Sequence, residues 1–160
     1  MTKFDYFKQS IEPSIQTIAM QRSTGDEFEK QWIRDRLRDP HLCDIIDQLS
    51  IINMHTLKAI ATNHLINGVE LSSKLGVTRS TISKSTKRLV DFGLIRYEQT
   101  EDNQKERHYC ITDTGKIINI QHEALETYIE KQIHGLINDF PEDSLETVAK
   151  FLRGIAEIHP

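Results

Sequence analysis

Cysteine is scarce. The 160 residues hold two, Cys43 and Cys110, far apart in the chain. This excludes a disulfide framework and suits a reducing compartment, so the expected location is the cytoplasm. Long apolar runs are missing as well, since no stretch approaches the ~20 residues that span a bilayer. The opening residues, MTKFDYFKQSIEPS, have neither an uninterrupted apolar core nor a small-residue cleavage site, and no signal peptide is expected. There is no glycine-rich phosphate loop, no His-Glu helix pair and no nucleophile elbow. An enzyme is therefore not expected, and neither catalytic residues nor a cofactor are assigned. Positive charge is in overall deficit. The net charge is −4 and the pI near 6.0, which by itself argues against a nucleic-acid partner. What remains is the composition of an ordinary soluble protein, 38% apolar and 28% charged, long enough for one domain or a small domain with added helices.

The charge is unevenly spread, and that reverses the argument. Between Lys74 and Arg96 stand six cations (Lys74, Arg79, Lys84, Lys87, Arg88 and Arg96) against one anion, Asp91, a local +5 that leaves −9 for the rest. An acidic body with one basic stretch is the footprint of a module that touches a polyanion at one place.

Helical geometry sharpens the point. Thr78 is placed to N-cap a helix running to Phe92, with Gly93 at its C-terminal stop. At about 100° per residue, Ile82, Ser85, Thr86 and Leu89 share one side, flanked by Val90 and Phe92. Ser80, Ser83, Lys84, Lys87 and Arg88 point the other way. That face carries hydroxyls and long cations without a glutamate, a composition for phosphate and base-edge contact rather than for solvent-exposed ion pairing. Upstream, Asn67 can cap a short helix over GVELSSKL, with Val69, Leu71 and Leu75 as its apolar contacts. A turn through Gly76 and Val77 joins the two helices as a helix-turn-helix. Downstream, LIRYEQT and RHYCIT are short runs of β-formers around the polar EDNQKE, which reads as a β-hairpin, or wing.

From Ser50 to about Ala124 this order of elements resembles the winged-helix core of the multiple-antibiotic-resistance regulator (MarR) family. The most specific parts are LGVTRSTISK, the GLI exit into the wing, and ITDTGK, which closes the wing and opens the next helix. The resemblance implies a mainly α fold with a small β-wing, in which a winged helix-turn-helix core is flanked by N- and C-terminal dimerisation helices. It also implies a homodimeric transcriptional regulator, usually a repressor, bound to a pseudo-palindromic double-stranded DNA operator and released by a small apolar or phenolic ligand. Thr78, Arg79, Ser80, Thr81 and Lys84 match the family positions that meet DNA from the recognition helix, about Thr78–Phe92, while Ser83 and Lys87 join them on its outer face. In the wing, about Leu94–Thr112, many members carry Asp-x-Arg where this chain has Asn103-Gln104-Lys105. Lys105 and Arg107 are the cations left to reach the minor groove.

The implied division is 1–49 for N-terminal helices, 50–111 for the core, and 112–160 for C-terminal dimerisation helices. A long helix from Thr112 to Asn138 carries a wide apolar stripe, and a last helix aligns Leu145, Val148, Leu152 and Ile155. A two-fold partner is the simplest cover for so much apolar surface. In the first fifty residues Pro13 should break or kink a helix and Gly25 should interrupt it again, leaving a short helix around Phe28 and Trp32. Asp39-Pro40 reads as the cap and first turn of another. His41-x-Cys43 and His108-x-Cys110 resemble zinc half-sites, but without a His-x-x-x-His pair no metal ligand is assigned. Two alternatives stay open. One is a zinc- or thiol-sensing regulator of the same fold, and the other a winged-helix protein-interaction module without DNA binding.

Overall fold

The computed structural model describes residues 1–100 and 103–158, with the side chains of residues 22–26, 100 and 103–105 outside the description. The chain divides into two compact units, residues 1–122 and 123–160. In order, its elements are α1 (Lys3–Tyr6), a π-helical turn (Phe7–Ile11), α2 (Glu12–Arg34), α3 (Pro40–Gln48), α4 (Ile51–Asn63), β1 (Ile66–Asn67), α5 (Gly68–Leu75), α6 (Arg79–Asp91), β2 (Ile95–Thr100), β3 (Asn103–Ile111), α7 (Asp113–Ile137) and α8 (Glu142–Ala156). This is a mainly helical protein with a small antiparallel sheet, the winged-helix fold. Among the described residues no helix is long and apolar enough to cross a membrane.

The helix termini follow from side-chain oxygens placed to meet unpaired N–H groups. Asp39 caps α3 by accepting from the His41 amide at 2.9 Å. Ser50 and Asn53 form a reciprocal box at the start of α4, and Asn67 and Glu70 do the same for α5. Gly76 ends α5 with φ 64° and Gly93 follows α6 with φ 67°, the left-handed conformation that glycine adopts without cost.

The N-terminal segment departs from the sequence expectation. Pro13 lies in the first turn of α2, where its missing N–H is not needed, and the irregularity falls just before it as the π-helical turn. Gly25 interrupts nothing, because α2 runs unbroken from Glu12 to Arg34. One glycine costs a helix interior only about 1 kcal/mol, too little to stop 23 residues.

The core of the first unit lies beneath the helix-turn-helix. Leu57, Ile60, Leu71, Leu89 and Leu94 are wholly buried, with Ile82 and Ile95 almost so; each such side chain contributes about 1.5–3 kcal/mol on burial. Of the three residues expected to anchor α5, Leu71 alone is deeply buried, while Val69 is half exposed. Between α4 and α6 the core is polar. Asn53 Nδ2 donates to Ser85 Oγ at 2.9 Å, Ser85 Oγ to Thr56 Oγ1 at 2.9 Å, and Thr56 Oγ1 to the Ile52 carbonyl at 2.7 Å. Every hydroxyl in this buried chain both accepts and donates, so none of its members forfeits hydration without compensation.

The sheet has the order β1-β3-β2. The hairpin of β2 and β3 pairs Ile95 with Ile111 and Tyr97 with Tyr109, and β3 takes in more of the polar run than its composition suggests, beginning at Asn103. Strand β1, only two residues long, pairs Ile66 with Tyr109 and Asn67 with His108. At the base of the wing Thr112 Oγ1 donates to the Gly93 carbonyl at 2.7 Å and accepts from the Gly115 amide at 3.1 Å. A Cβ at Gly115 would overlap the Leu94 carbonyl oxygen, so this glycine is required by close approach.

In the second unit α8 buries none of its residues. Val148, Phe151 and Leu152 are exposed along it, as is Ile158 just beyond. On the second-unit part of α7, Ile133 and Leu136 are likewise exposed.

Candidate nucleic-acid interface

Helix α6 is set by its inner face. Ile82, Ser85, Thr86 and Leu89 are its buried residues, the four that the helical period places together. That orientation turns Arg79, Ser80, Ser83, Lys84 and Lys87 outward, all exposed. Thr78 caps the helix through an acceptor bond from the Thr81 amide at 3.1 Å, and its hydroxyl lies 2.9 Å from that of Thr81. Both threonines therefore help to build the helix start, and Thr81 is half-buried.

The six cations of the basic stretch are not equivalent. Arg88 Nε donates to the Gln48 carbonyl at 3.1 Å and its guanidinium lies 5.3 Å from the Phe92 ring. It thus closes the C-terminus of α3 against α6. Arg96 pairs with Glu98 at 3.1 Å and Lys74 donates to Asn63 Oδ1 at 3.1 Å. Lys87 is 4.0 Å from Asp91, with both side chains mostly in solvent, a contact worth little. Arg79 and Lys84 make no side-chain hydrogen bond or ion pair among the described residues. The outward surface is thus a line of three long cations, Arg79, Lys84 and Lys87, interleaved with the hydroxyls of Ser80 and Ser83.

The wing supplies a fourth cation. Tyr97, Arg107 and Tyr109 share one face of the hairpin by register. The Arg107 guanidinium sits 4.8 Å from the centroid of the Tyr97 ring, a stacked cation–π arrangement. Thr86 Oγ1 lies 3.4 Å from the Tyr109 hydroxyl, which ties that face to α6. The side chain of Lys105 falls outside the described residues.

On the opposite face of the hairpin, Cys110 lies 3.5 Å from Glu98 Oε1. Burial, and then the Glu98 carboxylate, push its thiol above the ordinary cysteine range. Among the described residues, no three or more His, Cys, Asp or Glu side chains gather into a group that could hold a metal ion. The bond from Arg88 to Gln48, the polar chain through Ser85 and the stacking of Arg107 on Tyr97 all join distant parts of the sequence, and no local pattern announced them. The β-rich composition on both sides of Tyr97 was the one available signal.

Residues 49–106 match the MarR family model. That segment is similar to the MarR family. The HTH-type transcriptional regulator YvnA of Bacillus subtilis is 29% identical over 137 residues, which cover 86% of this chain and 76% of that protein. The HTH-type regulator YhjH of the same organism is 21% identical over 155 residues, 94% of this chain and 87% of that one. Among solved structures, the adhesin competence repressor AdcR of Streptococcus pyogenes superposes with a TM-score of 0.70 at 16% identity, covering 92% of this chain and 96% of that one. ZitR of Lactococcus lactis, in a structure with DNA, gives 0.59 at 18% identity over 68% and 74%. This chain shares the fold of these two structures.

Proposed function

We propose that this protein is a MarR-family homodimeric transcriptional repressor that binds a pseudo-palindromic double-stranded DNA operator. The observation that carries the reading is the outward face of α6, where Arg79, Ser80, Ser83, Lys84 and Lys87 are exposed beside the capped helix start. In the major groove, Arg79, Ser80 and Thr81 lie nearest the bases, with Thr78 fixing the helix entrance, while Ser83, Lys84 and Lys87 meet phosphates. Residues 50–111 form the DNA-binding core, and Lys105 and Arg107 bring the wing to the neighbouring backbone and minor groove. Residues 1–49 and 112–160 supply the dimer, supported by the exposed apolar side chains of α8. A small apolar or phenolic ligand acts by favouring a dimer form in which the two α6 helices no longer match successive grooves.

A related protein of Lactococcus lactis is described as zinc-responsive. That property is said of that protein and is not carried over. A protein-interaction module is disfavoured because interfaces are depleted in lysine, and this face carries Lys84 and Lys87 without an aromatic anchor.

The test is selection of binding sites from a random duplex library at two salt concentrations. An enriched inverted repeat with half-sites about one helical turn apart, roughly 34 Å, is expected. Absence of any enrichment, with weak binding abolished by moderate salt, would overturn the reading. A division of labour on α6 follows: Arg79→Ala relaxes preference at one position per half-site, whereas Lys87→Ala weakens all duplexes alike and lowers the salt slope by about 1.

A further inference from the structure

Two adjoining clefts run between α6 and the wing. The first, about 250 Å³, has Arg79, Ser83, Glu106 and Arg107 on its walls. The second, about 210 Å³, is bounded by Ser83, Thr86, Lys87, Tyr97, Arg107 and Tyr109. The carboxylate separates them chemically. Glu106 faces the first cleft, whereas the second is lined by two cations, three kinds of hydroxyl and no acid.

The cations of the second cleft come from different elements, Lys87 from α6 and Arg107 from β3. Arg107 carries five donors on a long stem whose rotamer freedom is normally expensive to freeze. Here it is already laid on a ring, 4.8 Å from the Tyr97 centroid. Tyr97 is held on the sheet opposite Tyr109, and the Tyr109 hydroxyl lies against Thr86 of α6. The guanidinium is thus fixed relative to α6 before any ligand arrives, which lowers the entropic cost of contact.

We propose that the second cleft is a seat for one DNA backbone phosphate, held by Arg107, Lys87 and Ser83, with Tyr97 as the positioning residue. The proposal rests on the DNA-binding reading above. A duplex lying along the outer face of α6, with the wing beside its minor groove, must carry the strand that divides the two grooves over this cleft. A dividing strand presents phosphates, not base edges. Arg107 is therefore assigned to affinity and register, and not to reading sequence in the minor groove. The occupant is a phosphodiester because its charge and three-dimensional oxygen array suit a guanidinium and an ammonium converging from two sides.

The test uses the full-length protein, titrated by fluorescence anisotropy against a mixed-sequence duplex and against the inverted repeat enriched by selection, from about 50 to about 200 mM salt. Arg107→Ala is expected to lower the slope of log K against log salt by about 1 per protomer on both duplexes, with Arg107→Lys retaining it. Tyr97→Leu should weaken binding several-fold at unchanged melting temperature, and Tyr97→Phe, which keeps the ring, should restore it. On the enriched repeat, one neutral methylphosphonate linkage per half-site should weaken the wild type more than it weakens Arg107→Ala, in which Lys87 and Ser83 still face that phosphate.

An Arg107→Ala slope equal to wild type would overturn the proposal. So would a loss confined to the enriched repeat, because that is the mark of base reading, and so would Tyr97→Leu binding as tightly as wild type. If the wild type binds neither duplex, the DNA-binding reading itself has failed. That result is distinct from a wild type that binds with an indifferent Arg107.

Discussion

Asn67 Nδ2 donates to Glu106 Oε1 at 2.7 Å across 39 residues of sequence. The same side chain accepts from the Glu70 amide at 2.8 Å through its Oδ1. One amide thus starts the first helix of the helix-turn-helix and anchors the wing strand behind it. Replacing it by aspartate separates these roles, since the carboxylate still caps but can no longer donate to Glu106. Asn67→Asp is expected to lower stability by about 1 kcal/mol at neutral pH, or roughly 2–4 °C in melting temperature, from like-charge contact and the lost bond. The like-charge part of the deficit should shrink as added salt screens the two carboxylates. A thermal melt series in salt checks this, and Asn67→Asp melting at the wild-type temperature at low salt would contradict it.

The polar chain between α4 and α6 makes a stronger demand. Ser85→Ala removes the acceptor of Asn53 and the donor to Thr56 while adding no volume. The expected cost is about 1–3 kcal/mol, the penalty for stranding buried polar groups. Ser80→Ala on the outer face should fall within about 0.5 kcal/mol of wild type. Urea denaturation of both variants measures the contrast, and equal midpoints would show that the chain contributes nothing.

The second unit supplies a test of assembly. Val148, Phe151 and Leu152 are exposed along α8, a patch that a monomer would leave in water. Phe151→Glu is expected to shift the protein from dimer to monomer in sedimentation equilibrium. It should also weaken binding to an inverted repeat far more than binding to a single half-site. Unchanged sedimentation would remove α8 from the proposed interface.

Cys110 offers a probe of the wing. Its raised thiol pKa means that the neutral form persists into the alkaline range, and the stability tied to that form is lost as pH rises through the raised value. Native protein at about pH 8.5, the ordinary thiol range, should therefore be alkylated at Cys110 much more slowly than unfolded protein. Glu98→Gln should speed the reaction by removing the neighbouring charge. Mass spectrometry of iodoacetamide-treated protein reads both rates, and equal rates in native and unfolded protein would refute the account.

What the sequence disclosed depended on how locally each feature is determined. The caps at Asn67, Thr78 and Asp39, the left-handed Gly93 and the inner face of α6 are consequences of residues within one or two turns, and they were legible. The unbroken passage of α2 through Gly25 was not, because a single propensity term is outweighed by the rest of the helix. Strand β1 was also missed. Two residues carry no periodicity, and Ile66 and Asn67 become a strand only because Tyr109 and His108 arrive beside them. In the candidate site the outward residues of α6 could be named in advance. The bond that holds the exposed Arg88 could not, since its partner, Gln48, lies 40 positions away.

Gly115 carries a mechanical consequence. With no side chain between them, the first turn of α7 rests directly on the backbone at Leu94, and Leu94 N donates to the carbonyl of Leu89 inside α6 at 2.9 Å. Peptide against peptide is a stiff joint, with no rotamer to absorb a small displacement. Any tilt imposed at the start of α7 is therefore delivered to the end of α6 undamped, as through a pivot without play.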